Sequence, residues 1–227
     1  MKKLVLFIVF CYLLLGNLNA QIQLNVGVAI PQGEFGEVDY NDGWGGKSGQ
    51  ASLGLCLGVK YGIPLKVNNL SFVFATNFIY NPLSIDFKDE YDLEFEGYNV
   101  DITYEKYLNI PIYCGLNYGI DLNNNLKLFG EGNIGANILK ITNFKIEGNG
   151  AKGMSVYSPS YKFSFLLNGG VIVNQKYIFG INFFNLGSHK VKFKVIYSSN
   201  TYESEIKEKF NYSLGVNVIA LTAGILF

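Results

Sequence analysis

The chain is 227 residues long and carries 18 lysines, no arginine and 18 carboxylates, for a formal charge of zero at neutral pH. Without arginine it lacks the planar fork that grips phosphate in two places, and its lysines show no concentrated basic stripe, which excludes a nucleic-acid-binding role. Its 26 glycines, 18 phenylalanines and 16 tyrosines against 5 prolines favour aromatic-rich strands joined by turns, with no low-complexity linker.

Met1 to Ala20 has a basic start at Lys2 and Lys3, an apolar run from Leu4 to Leu15 and a polar approach to Ala20, the pattern of a secretory signal peptide. A transmembrane helix needs roughly 20 apolar residues, and this run is too short for one. Cys11 lies inside the run rather than at the cleavage point, which argues against a lipoprotein anchor; Leu18 stands where a smaller residue is usual. The expected mature chain, 21–227, is one barrel-sized domain, with 16 lysines against 18 carboxylates once Lys2 and Lys3 are removed.

Alternation with a period of two then recurs along the chain, and successive side chains of a strand point to opposite faces. The first strand sets Ile22, Leu24, Val26, Val28 and Ile30 against Gln23, Asn25, Gly27 and Ala29. In the second, Ala51, Leu53, Leu55, Leu57, Val59, Tyr61 and Ile63 alternate with Ser52, Gly54, Cys56, Gly58, Lys60 and Gly62. A third carries Leu70, Phe72, Phe74, Phe78 and Tyr80 on one side. A fourth carries Leu108 to Ile120, with Pro111 on its inner face expected to interrupt pairing. The fifth is expected over 126–140, the sixth over 161–173 and the seventh from 177 to 184 or beyond. The eighth ends the chain, with Ile219, Leu221, Ala223, Ile225 and Phe227 on one face and Val218, Ala220, Thr222 and Gly224 on the other.

Short connections at 64–69, 121–125 and 174–176 alternate with long ones at 34–50, 82–106, 141–160 and 186–210. This is the short-periplasmic, long-extracellular asymmetry of outer-membrane barrels. The reading is an all-β, eight-stranded antiparallel up-and-down transmembrane β-barrel, with ten strands if a long connection hides another hairpin. A soluble barrel would bury the apolar series, but the small, Gly- and Ser-rich series suits a narrow lumen better than a soluble exterior. Tyr61, Tyr118 and Tyr177 are then expected near the periplasmic rim, and Tyr80, Tyr107 and Tyr161 near the outer rim. Lys60, Lys127, Glu131 and Lys162 become lumen charges, with Glu131 paired to a lysine. Cys56 faces in and Cys114 faces out, so both are expected as free thiols.

The segments "VGVAIPQGEFG", "YLNIPIYCGLNYG", "FFNLGSHKV" and "NVIALTAGILF" resemble, in order, strands of the outer-membrane protein β-barrel domain family, the OmpA/OmpX-like small barrels of Gram-negative bacteria. The resemblance implies an eight-stranded barrel inserted in the bacterial outer membrane, and it implies no activity. The closing strand and Phe227 look like the signal read by the barrel insertion machinery. Expected partners are therefore outer-membrane lipids and that machinery, together with an extracellular ligand or surface partner and no nucleic acid.

Residues able to carry chemistry are few. His189 is the single histidine, and its neighbour Ser188 points the other way on an extended segment, so the pair makes a poor nucleophile and base; His189 is read as a solvated loop residue. The second long connection holds Asp86, Asp89, Glu90, Asp92, Glu94, Glu96, Asp101 and Glu105 against Lys88 and Lys106, without EF-hand spacing. Interleaved Ile85, Phe87, Tyr91, Leu93 and Phe95, then Tyr98, Val100, Ile102 and Tyr104, favour a strand hairpin about Gly97 with a solvated acidic face over a metal site. The stretch "NDGWGGKSG" lacks phosphate-loop spacing and reads as a surface loop, with Trp44 available to headgroups or a partner. No catalytic, cofactor or metal residue is assigned. The leading expectation is a structural, surface-interaction or adhesion role carried by outer loops. A narrow porin-like channel or small-solute barrel comes second and a lipid-modifying enzyme third.

Overall fold

The computed structural model describes residues 21–38, 48–94, 99–148, 151–199 and 202–227. Strand β1 (Gln21–Gln32) ends in a single 3-10 turn, Gly33–Phe35, and is followed by β2 (Gly54–Pro64) and β3 (Leu70–Pro82). Helix α1 (Ile85–Glu94) and the short β4 (Val100–Thr103) lead into β5 (Lys106–Asn123) and β6 (Leu126–Ile141). Then come β7 (Phe144–Gly148), β8 (Ala151–Ser158), β9 (Ser160–Val173), β10 (Tyr177–Ser199) and β11 (Tyr202–Leu226).

Eight of these strands close a ring in the order β1, β2, β3, β5, β6, β9, β10, β11, and β11 returns to β1. Every neighbouring pair is antiparallel, so the fold class read from the sequence holds and the ten-strand option falls away. Alternation explains why these segments are strands. On β1, Ile22, Leu24, Val26 and Val28 are about half exposed outward, whereas Ala29 is fully buried inward. Pro111 has the expected effect on its strand: the β3–β5 ladder skips from Thr76↔Ile112 to Ile79↔Asn109, and the Thr76 hydroxyl donates to the Pro111 carbonyl at 3.0 Å. No helix among the described residues is long and apolar enough to cross a membrane.

The remaining strands extend one side of the wall. Above the ring β4 pairs with β7, β7 with β8 and β8 with β10. Because β4, β7 and β8 adjoin β5, β6 and β9 in the chain, they repeat the barrel's neighbour order, and β10 and β11 run straight through. The wall β5-β6-β9-β10-β11 thus rises past the rim as a five-stranded sheet, while β1, β2 and β3 stop there.

Several expectations are corrected here. Within the stretches 141–160 and 186–210 the described residues are mostly paired strand rather than loop, since Val191, Phe193, Leu214 and Val216 bury an inner face that rewards continued alternation. The segment 85–94 is helical rather than half of a hairpin: Ser84 stands at the N-cap position, Asp86 sits in the first turn, and Lys88 N–H donates to the Ser84 carbonyl. Its expected partner strand, β4, pairs with β7 instead, and Gly97 lies outside the described residues. Strand β2 begins at Gly54, and Ala51 is buried, bridged to Leu83. Tyr107 points inward, its ring 5.1 Å from that of Phe35, and so leaves the outer girdle. The expected signal peptide and Trp44 lie outside the described residues.

Cys56 is buried on β2 and Cys114 half-buried on β5, and both are free thiols. With β3 between them, two strand spacings of about 4.8 Å hold their backbones roughly 9–10 Å apart, beyond disulfide reach. In lipid vesicles a membrane-soluble maleimide should modify Cys114 and spare Cys56, read by mass spectrometry of the unreduced protein. Preferential labelling of Cys56 would contradict the register.

Candidate functional site: the lumen and the outer wall

The lumen is built from the inward parity of all eight ring strands. Near the end of the barrel that carries Gln21 and Phe227, Lys60 of β2 and Glu131 of β6 meet across the interior, Nζ to Oε2 at 2.5 Å. Asn117 and Asn133 donate amide N–H groups to the two oxygens of the same carboxylate, at 3.1 and 2.7 Å, and the Lys60 ammonium lies 5.9 Å from the centre of the Phe129 ring. Either charge alone in this enclosure would be strongly unfavourable, so the pair and its amide partners form one unit. Below it a cavity of about 50 Å³, lined in part by Gln21, Gln23, Ser71 and Ile172, opens downward.

Above the pair the lumen is packed. Tyr113 and Phe184, with ring centres 6.4 Å apart, fill the interior together with Cys56, Val73, Ile79 and Leu166. Higher still, Asn81 donates to the Ser52 carbonyl at 2.9 Å and Asn137 to Asn109 Oδ1 at 2.7 Å. Phe35, carried by the turn after β1, is fully buried over this layer. A hollow of about 840 Å³ between Val26, Leu128, Phe179 and Leu221 lies on the outside of the wall, where Gly169 adds no side chain.

His189 requires a correction. It is fully buried on β10 rather than solvated in a loop, with Nε2 2.9 Å from the Leu186 carbonyl and 3.1 Å from the Asn137 amide nitrogen. The cause is a bulge: the β10–β11 register shifts between Asn185 and Gly187, Gly187 adopts φ +92°, and the inward face moves from Leu186 to His189. Ser188 faces the other way, 3.3 Å from the Ser213 hydroxyl, so the two are not brought together. Of the other expected lumen charges, Lys127 sits at the rim near Asp121 and Asn69, and Lys162 is exposed at the outer end of β9.

The acidic connection also disperses. Asp92 accepts a hydrogen bond from the Tyr104 hydroxyl, Asp101 lies on β4, and among the described residues no three metal-ligating side chains converge. Glu105 is the exception in character. At the β4–β5 junction its carboxyl is enclosed with Tyr107, Tyr157 and Tyr212; burial pushes it above the ordinary carboxylate range, opposed in part by hydrogen bonds from its own backbone and the Tyr157 hydroxyl and by the charge of Lys88. Phe193 lies beside this group, stacked on Phe210 at 5.2 Å and 5.3 Å from Tyr157. The inner face of the outer wall therefore has its own aromatic core around one carboxyl. Sequence reading missed this cluster, because its members are scattered along the chain from Glu105 to Tyr212.

No family model and no curated protein matches the chain in sequence. Solved structures are similar over most of the chain. Neisserial surface protein A is similar at 13% identity and TM-score 0.45, over 91% of this chain and 95% of that one. A major outer membrane protein from Thermus thermophilus gives 9% identity and TM-score 0.49 over 92% and 100%. The outer membrane protein OprG from Pseudomonas aeruginosa gives 11% and 0.47 over 92% and 95%. A closed antiparallel ring with apolar side chains exposed around its outside and a charge pair with amides inside is the reverse of a soluble barrel. The chain is an integral β-barrel of the bacterial outer membrane.

Two outcomes follow from these sites. Glu131→Ala leaves Lys60 buried and unpaired, so unfolding in vesicles should shift to lower urea by the equivalent of about 3–5 kcal/mol, whereas Lys60→Met with Glu131→Leu should restore most of the loss. For Glu105 the folded state holds its proton more tightly than the unfolded chain. Its contribution to the outer wall's stability is complete below the unfolded value of 4.5 and is lost as pH rises through the higher folded value. Hydrogen exchange of β8 amides should thus accelerate as pH rises beyond the intrinsic trend, and Glu105→Gln should abolish that excess.

Proposed function

We propose that this barrel works without conducting, as an envelope protein that holds its rising wall outside the cell as an interaction surface. The observation that supports this reading is the contrast between the two halves of the molecule: a lumen crossed by the Lys60–Glu131 pair and filled above it, and a wall continued as paired strands beyond the rim. An eight-stranded barrel has an interior that side chains just fill, and here they do. A loop would supply a surface at lower folding cost, whereas a sheet with its own aromatic core presents a fixed one.

With both termini at the periplasmic end, Ser198 near the tip of β10 faces the medium. The competing reading, a narrow channel, requires the charge pair to part and the Tyr113–Phe184 layer to move. The reconstituted protein should give no unitary current steps in planar bilayers at 100 mV, and a Ser198→Cys variant on intact cells should react with a membrane-impermeant maleimide. Regular current steps that disappear on Tyr113→Trp would favour the channel instead.

A further inference from the structure

The outward face of β10 and β11, just beyond the apolar belt, carries an arrangement that the lumen and the Glu105 cluster leave unexplained. Beyond the bulge, Lys190, Lys192 and Lys194 alternate with the inward Val191, Phe193 and Val195, and Lys209 of β11 stands directly opposite Lys194. All four lysines are exposed. Their other cross-strand neighbours are uncharged: Ser213 faces Lys190, Asn211 and Ser158 flank Lys192, and Val156 flanks Lys194. Among the described residues none of the four makes a salt bridge. Like charges directly opposite on a sheet repel, so Lys194 and Lys209 are disfavoured as neighbours unless an anion sits between them.

The height of the ladder indicates which anion. The last β9–β10 pair is Asn185↔Phe165 and the first β8–β10 pair is Lys192↔Ser158, seven residues further on both strands. Lys190 is therefore level with Ser160, beside the exposed Tyr161 and Phe163 that end the apolar belt. Aromatic rings of this kind mark the boundary between hydrocarbon and headgroups. The ladder starts at that boundary and rises roughly 13 Å along the strand to Lys194, less in height because barrel strands tilt, and lysine stems bend back toward the interface. Stretched chain of this kind presents ammonium groups in the layer where phosphate groups lie.

We propose that Lys190, Lys192, Lys194 and Lys209 form a binding strip for the phosphates of anionic lipid headgroups in the leaflet around the barrel's outer end. The inference rests on the membrane placement given above and adds a lipid class and a side of the barrel to it. A lysine near an anionic surface contributes about the energy of a fivefold preference, and the effect is screened by salt.

The test uses the full mature barrel in phosphatidylcholine vesicles, with spin-labelled phosphatidic acid and spin-labelled phosphatidylcholine as probes of the lipids in contact with it. At low salt the wild type should prefer the phosphatidic acid roughly fivefold. The preference should fall close to one in the variant Lys190→Gln, Lys192→Gln, Lys194→Gln, Lys209→Gln and in 1 M salt. It should survive Lys66→Gln with Lys176→Gln, two exposed lysines in the turns at the opposite end. An inserted wild type with no preference, or a four-glutamine variant that retains it, overturns the proposal. A wild type that does not insert as a heat-modifiable barrel overturns instead the membrane placement beneath it.

Discussion

Closure of β1 against β11 is the constraint on which everything else depends. Ten residue pairs join them, from Gln23↔Leu226 to Gln32↔Asn217, and Ile22 and Phe227 exchange both backbone hydrogen bonds at the end of the seam. In hydrocarbon an unpaired backbone group costs several kcal/mol, so an open edge on either strand would be intolerable there. Once the ring closes at eight strands its bore is fixed, and inward residues can only be small, mutually packed or mutually neutralised. Glycines at 27, 58 and 135 meet the first demand: a Cβ on Gly135 would lie 1.9 Å from the Ile112 carbonyl oxygen.

The Lys60–Glu131 pair is the other solution to the same confinement. Buried ion pairs are weak sources of stability compared with apolar packing, but removing one member is severe. The pair is also directional, since Asn117 and Asn133 fix the carboxylate from β5 and β6 while the ammonium arrives from β2. A one-residue slip of β2 would send Lys60 to lipid and leave Glu131 unpaired. The pair thus opposes wrong registers in a sheet whose alternation alone would tolerate a slip of two.

How much of this was legible in the sequence depended on whether one period governed a segment. The ring strands were readable because lipid on one side and a narrow bore on the other impose alternation without exception, and the Glu131–lysine pair followed from parity. The outer wall was not, although "HKVKFKV" alternates as cleanly as any strand: the chain from Leu186 onward read as a long connection, when the positive φ of Gly187 makes a bulge that keeps the strand going. The same bulge turns His189, read as a solvated loop residue, into an inward residue of β10. Helix α1 was hidden differently, because Ile85, Phe87, Tyr91 and Leu93 are spaced by even numbers, as on a strand. Ile85 and Leu93 are exposed on the helix while Phe87 packs against the core, so the even spacing does not mark one buried face. The lysine strip is diluted in the chain, because on a strand only every second residue shares its face and Lys209 comes from the neighbouring strand.

The asymmetry of the rim follows from where inner faces can still be covered once the bore ends. On the β1–β3 side the chain turns inward, and Phe35 and Leu83 cap the lumen, so nothing remains for taller strands to bury. On the opposite side Tyr104 packs on Phe144, and Tyr157 and Tyr212 pack on Phe193 beside Glu105, which gives β4, β7 and β8 a reason to stay paired beyond the membrane. A sheet that is apolar inside must be polar outside, and from the level of Tyr161 upward the polar residue on three successive outward positions of β10 is lysine rather than glutamate or serine. Fold demands only polarity there, so a single sign with no ion pair among the described residues goes beyond what the fold requires.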